Sequence, residues 1–231
     1  MSPSLVQPKN QAPRRLAWIL GALAALMTAG CALTSKSTPI SPRYFSPERP
    51  ADTARSNPKP SGVPLELRLG RISSSSYLDE RLVFRDTAHE LGYYEERRWT
   101  EEPEEYLRRL LGRVLFEERG LRHVVGGIAP TLEVELIAFE EIRSPKRVAR
   151  VQLTARLQEA RLVRWEETLT VDQPISEDGK GDEADAMVAA IGAALGSVVD
   201  KIADHVTADL ATIPPPAPLP ALPATRDARR P

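Results

Sequence analysis

The chain has 231 residues, 42% of them hydrophobic, and 31 Lys+Arg against 32 Asp+Glu give a formal net charge of −1. Its single cysteine, Cys31, excludes an internal disulfide and any CxxC metal or redox site. The balanced charge and 5% aromatic content argue against nucleic acid as a partner, because such a partner calls for a basic face with stacking platforms.

The amino terminus reads as an export signal over residues 1–30. Lys9, Arg14 and Arg15 precede an uncharged run, LAWILGALAALMTAG, which ends immediately before Cys31. Fifteen apolar or small residues are short for a membrane span, although an uncleaved anchor helix is the competing reading. Thr28-Ala29-Gly30-Cys31 resembles a bacterial lipobox, with Thr28 standing where Leu is usual. Cys31 is therefore the expected lipidation site: its thiol would receive diacylglycerol, and two or more acyl chains hold a protein stably at a bilayer without spanning it. Ala32 stands where an inner-membrane retention signal would have Asp, which directs the expectation to the outer membrane, with the domain facing the periplasm.

Residues 31–42 read as a polar tether. Of the 21 prolines, only four fall in residues 65–212, so one folded domain is expected over 43–212, followed by a Pro-rich disordered tail at 213–231. Arg43-Tyr44-Phe45 reads as a short edge strand and 46–63 as loop. Residues 65–72 alternate apolar and polar, as does a half-buried strand, with Ser73 to Ser76 breaking it; residues 82–85 and 91–97 offer two more strands.

A helix is expected at about 101–119. Thr100 would cap it, acids fill its first turn, and Tyr106, Leu107, Leu110, Leu111, Val114 and Leu115 form one stripe before Gly120. Residues 131–142, 148–158 and 161–171 read as an antiparallel meander. The first would turn Leu132, Val134, Leu136 and Ala138 to one side, with Ile137 and Phe139 opposite. A long helix over 182–210 follows, whose small residues (Ala189, Ala190, Gly192, Ala193, Gly196) suit close packing on the sheet or a subunit contact. The fold class is α+β: a mostly antiparallel sheet of five to seven strands with two main helices in a two-layer sandwich, one sheet face covered and the other polar.

No catalytic constellation emerges. His89, His123 and His205 share no ligand spacing, and His89-Glu90 lacks the second histidine of an HExxH motif. No GxSxG elbow surrounds Ser73 to Ser76, and Gly126-Gly127 is too little for a phosphate loop. Glu101 to Glu105 fit a helix N-terminus better than a metal cluster. Arg143, Lys146, Arg147 and Arg150 sit beside Glu140 and Glu141, as a mixed-charge solvated turn would.

The order of features resembles the ABC-type transport auxiliary lipoprotein family. The resemblance rests on Cys31 after an export signal, Arg43-Tyr44-Phe45 as an entry strand, and residues 65–72 followed by Tyr77-Leu78-Asp79 and Leu82-Val83-Phe84-Arg85. Tyr93-Tyr94 to Trp99 before a Leu-rich helix, and the closing helix with Met187, Ala190, Leu195 and Ile202, complete it. Phe45-Ser46 and the Pro-rich tail depart from the family pattern. The resemblance implies a protein that is not an enzyme, needs no cofactor or metal, and partners an MCE-domain protein and an ABC permease and ATPase. That system would move lipids or other hydrophobic solutes between the two membranes. Some relatives form rings, so a homo-oligomer is a further implication. Two other classes stay open: a structural or lipid-binding envelope lipoprotein that assists outer-membrane assembly, and an envelope hydrolase using Ser74 or His89.

Overall fold

The structure, a computed structural model, describes residues 41–50, 65–176 and 182–213. The expected signal segment, Cys31, most of the tether and residues 214–231 lie outside the described residues.

Eight strands form one sheet: β1 (Arg43–Phe45), β2 (Glu66–Ser74), β3 (Arg81–Arg85), β4 (Leu91–Trp99), β5 (Arg122–His123), β6 (Thr131–Ile142), β7 (Val148–Glu159) and β8 (Leu162–Pro174). Helix α1 (Pro103–Gly112) continues as a π-helical turn, Arg113–Glu118, and α2 spans Glu183–Leu210. The sheet is mixed, not mostly antiparallel, and larger than the five to seven strands expected. The meander β6–β7–β8 is antiparallel as anticipated, but β2 and β3 both run parallel to β6, β1 parallel to β4, and β5 parallel to β2. Strand alternation is a local signal, whereas the direction of pairing is set by which distant strand completes the ladder.

Strand β6 organises this arrangement. One of its edges pairs with β7 throughout, while the other serves β2 along its first half and β3 along its second. Between those halves a bulge at Leu136/Ala138 inserts one residue, Ile137. The phase of the strand flips there, so Phe139 lies opposite Val151 on the core side and is buried, contrary to the uninterrupted alternation read from sequence. The loop joining β2 to β3 covers the bulge: Ser75 donates its N–H to the Leu136 carbonyl (2.9 Å) and the Tyr77 hydroxyl donates to the Ile137 carbonyl (2.6 Å). The Tyr77-Leu78-Asp79 passage thus satisfies the backbone groups that the bulge removes from the ladder.

Both helices pack on one face of the sheet, α1 over β2 and β6, α2 over β7 and β8. Helix α1 begins at Pro103, with Glu102 at its N-cap and no side-chain cap. The Thr100 hydroxyl instead lies 2.7 Å from that of Tyr106. The stripe from Tyr106 to Leu115 is buried, and Gly120 (φ 71°) ends the element. In α2 the Asp182 carboxylate accepts the Ala184 N–H (2.9 Å), and Met187, Ile191, Ala194, Leu195, Val198, Ile202, Val206 and Leu210 all face inward. This helix is long and apolar enough to cross a membrane, yet most of its surface is taken up by the sheet and by α1. Trp99 sits in the core between Phe139 (ring centroids 5.1 Å) and Tyr106 (6.2 Å), both edge-on.

Residues 46–50 have no regular structure but lie as a strap across α2. A Cβ built on Gly192 would overlap the Glu48 backbone, and one on Gly196 would meet the Arg49 side chain at 3.0 Å. The small residues of the helix therefore admit this strap as well as the sheet.

Candidate functional site

Cys31, the lipidation candidate, lies outside the described residues. The sequence features weighed for chemistry are dispersed. Ser74 donates its hydroxyl to Glu104 of α1, while His89, in the β3–β4 turn, donates its backbone N–H to the Thr87 hydroxyl oxygen; no hydrogen bond joins Ser74 to His89. His123 stacks on Phe116 (4.4 Å), and His205 lies flat on Trp165 (5.0 Å) with its Nε2 3.7 Å from Glu167. Glu101 pairs with Arg109 (2.7 Å) and Glu105 with Arg108 (3.3 Å). Among the described residues, no group of three His, Cys, Asp or Glu side chains is placed to hold a metal ion.

The turn at residues 143–146 is exposed, as a solvated turn would be, but the two acids before it are buried. The Glu141 carboxylate is buried on the covered side of the sheet. It accepts hydrogen bonds from the Tyr94 hydroxyl and Arg147 Nε, with Arg143 at 3.8 Å. Arg147 also reaches Glu183 at the start of α2 (2.7 Å). Burial, reinforced by the hydrogen bond to Glu141, pushes the Tyr94 phenol up. Glu140, also buried, takes a two-pronged contact from Arg85 (2.8 and 3.1 Å). Strand alternation sends these consecutive carboxylates to opposite faces of the sheet, and the bulge decides that Glu141 is the one on the covered side.

A second cluster fixes the strap. Arg49, its side chain only 2% exposed, grips Glu118 (3.0 Å) and Asp200 (2.9 Å), while Arg119 contacts Asp204 (2.5 Å). The π-helical turn brings Glu118 to this point. Beside the strap lies a cavity of ≈ 420 Å³ lined by Ser46, Pro47, Tyr106, Arg109, Leu110 and Leu195, among others.

The uncovered sheet face is polar, as the alternation predicts. Rungs between β7 and β8 pair Arg150 with Asp172 (2.7 Å), Gln152 with Thr170 (2.9 Å), Thr154 with Thr168 (2.8 Å) and Arg156 with Glu166 (3.0 Å). A shallow depression of ≈ 310 Å³ opens on this face among Arg71, Ser73, Glu133, Glu135, Thr154 and Arg156. Within the described residues, Glu101, Glu105, Glu140 and Glu141 are held in structural pairs, and His123 and His205 lie against separate aromatic rings.

The family model for the ABC-type transport auxiliary lipoprotein component matches residues 47–203, from the strap into α2. The chain belongs to this family. Its members are lipoproteins, and the envelope-protein character read from sequence agrees with that. Among solved structures, a Xanthomonas campestris protein of family DUF330 is 19% identical, with a TM-score of 0.61, over 72% of this chain and 95% of its own. A second crystal structure, of an uncharacterized protein, is 14% identical with a TM-score of 0.56, over 72% of this chain and 99% of its own. Both share the fold. No curated protein matches the chain.

Proposed function

We propose that this transport auxiliary lipoprotein is the membrane-anchored, non-enzymatic partner of an MCE-type ABC transporter that moves lipids or other hydrophobic solutes between the inner and outer membranes. The observation that carries the reading is the family match across the folded domain. The arrangement of the described domain supports it, because its buried acids, Glu140 and Glu141, are held by arginines instead of converging on a reactive centre. Cys31 is the acylated residue, residues 1–30 are the removed signal, and Ala32 assigns the anchor to the outer membrane with the domain facing the periplasm.

Two measurements test this reading. Mass spectrometry of the mature protein should find residue 31 at the amino terminus, bearing acyl chains, and Cys31→Ser should release the domain from the membrane. Affinity purification of the acylated protein after crosslinking should recover an MCE-domain subunit and an ABC permease or ATPase. An unprocessed amino terminus with a free thiol would overturn the anchoring, and recovery of neither transporter component would overturn the partnership.

A further inference from the structure

Strand β8 closes the sheet on one side: it pairs with β7 and, among the described residues, with no other strand. The register fixes which of its backbone groups are free. Ile175 donates its N–H to the Arg147 carbonyl (3.4 Å) just beyond the Val148–Pro174 pair, so the N–H and C=O groups of that pair point away from each other. The pairing then runs without a shift from Val148–Pro174 to Leu157–Trp165. Antiparallel alternation therefore turns the backbone groups of Asp172, Thr170, Thr168 and Glu166 outward as well, away from β7. Pro174, with no N–H to offer, sits where its lack costs no bond to β7. The close side-chain rungs of the open face, Thr154 with Thr168 (2.8 Å) and Gln152 with Thr170 (2.9 Å), belong to the same pairs.

A free edge is a template for another strand, and folded proteins commonly blunt it with lysine, proline or a bulge. Strand β8 carries such devices only near its ends: Pro174, and the bulge that holds Arg164 between the Leu157–Trp165 and Gln158–Val163 pairs. Between them the outward positions are Glu166, Thr168, Thr170 and Asp172, all exposed, and the two acids are already neutralised along the sheet by Arg156 and Arg150.

The edge is complementary to itself. Thr168 is the midpoint of Leu162–Pro174. A two-fold axis between two copies of Thr168 sets their outward groups against each other and those of Glu166 against Thr170, so that each N–H finds a carbonyl. On the open face the polar rungs run on across the junction, Arg156–Glu166 meeting Thr170–Gln152 of the second copy. On the covered face Trp165 meets Val171, both half-buried at the margin of the core, as an aromatic–β-branched pair. Neighbouring axes are poorer. Through Glu166 or Glu167 they oppose identical carboxylates, through Leu169 they set Glu166 against Asp172, and through Thr170 they face Glu166 with Pro174, which has no N–H to give. Helix α2 packs over β7 and β8, and strands stand ~4.8 Å apart, so the Thr168 axis brings the two α2 helices to about 10 Å, an ordinary helix–helix distance.

We infer that the free edge of β8 is the docking strand for a second copy of this chain, the two sheets joining antiparallel about Thr168 into one continuous sheet. The contact is independent of the function proposed above. The test uses the full-length protein in its own envelope, with linking scored against the parent, whose one thiol is Cys31. Oxidation of Thr168→Cys should link two chains, because facing residues of a hydrogen-bonded pair stand ~5.5 Å apart at Cα, within disulfide reach. Thr170→Cys alone should give no link, whereas co-expressed Thr170→Cys and Glu166→Cys chains should link to each other. Thr154→Cys, one strand inward on β7, should give none. Thr168→Lys places two ammonium groups on the axis and leaves the backbone ladder to β7 untouched; it should abolish the link between positions 166 and 170 while the far-ultraviolet circular dichroism stays that of the parent. A link from position 154, a 166–170 link that survives Thr168→Lys, linking of this edge to a different protein, or no link from position 168 would each overturn the docking strand.

Discussion

Gly192 of α2 lies directly beneath the Glu48 carbonyl oxygen, so close that a methyl group in place of its hydrogen would overlap the strap. The backbone of residues 46–50 cannot retreat without loosening Arg49, so the glycine is required by its neighbour and not by its own helix.

Gly192→Ala should therefore destabilise the domain by about 1–3 kcal/mol, as overpacking against backbone does. Gly112→Ala, at a helical glycine with open space around its Cβ position, should stabilise it by roughly 0.5–1 kcal/mol. Urea denaturation of the two variants side by side separates a steric clash from helix propensity.

Arg49→Met keeps most of the apolar stem and removes the charge that holds Glu118 and Asp200. A loss of about 3 kcal/mol is expected, the scale for removing one partner of a buried ion cluster. Limited proteolysis should then cut within residues 46–50 before any other described segment. A variant as stable and as resistant as the parent would show that the strap is held by packing alone.

Tyr77→Phe should cost about 1 kcal/mol by leaving the Ile137 carbonyl without its donor at the bulge. Burial, helped by the Glu140 carboxylate, pushes the Tyr77 phenol up to about 12 from an ordinary 10.0. The neutral hydroxyl is thus favoured by folding. Its contribution is complete below pH 10 and is lost between about 10 and 12. Denaturation curves across that range should show the gap between parent and variant closing as pH rises.

Phe139→Ala should destabilise by about 3–5 kcal/mol, because the ring is buried against Trp99. Deleting Ile137 should cost far less, because Ala138 and Phe139 already pair with Gln152 and Val151 in the phase of an unbulged strand, and the loss is that of the Tyr77 hydrogen bond at the bulge, about 1 kcal/mol. Thermal melts monitored by tryptophan emission report both changes at Trp99.

The parts of this fold that were legible in the sequence are those set by local periodicity. The β6–β8 meander, the buried face of α2 and the edge strand at Arg43–Phe45 all follow from spacing within one element. What escaped depends on distant partners. The parallel pairings of β2 and β3 to β6 leave no mark on either strand alone. The bulge at Ile137 is masked because an apolar residue there continues the alternation. Thr100 has the chemistry of a helix cap, but the Tyr106 hydroxyl bonds it first and the helix begins at Pro103. Glu140 and Glu141 read as solvated because adjacent acids usually are; only the arginines brought from β3 and the 143–147 turn make their burial affordable. For the docking edge, the outward direction of alternate N–H groups on β8 needs the β7–β8 register, which no single segment encodes.

The polypeptide joins the domain near the start of α2, and the β7–β8 turn stands near that helix's end. A pull on the chain at Arg43, directed away from that turn, would run lengthwise along the strands. The three rungs joining β1 to β4 would then be loaded together in shear, with the guanidinium of Arg49 as a bolt behind them, instead of being unzipped one by one. A short edge strand is a weak fastening when peeled and a far stronger one when pulled end-on, and here the geometry selects the second.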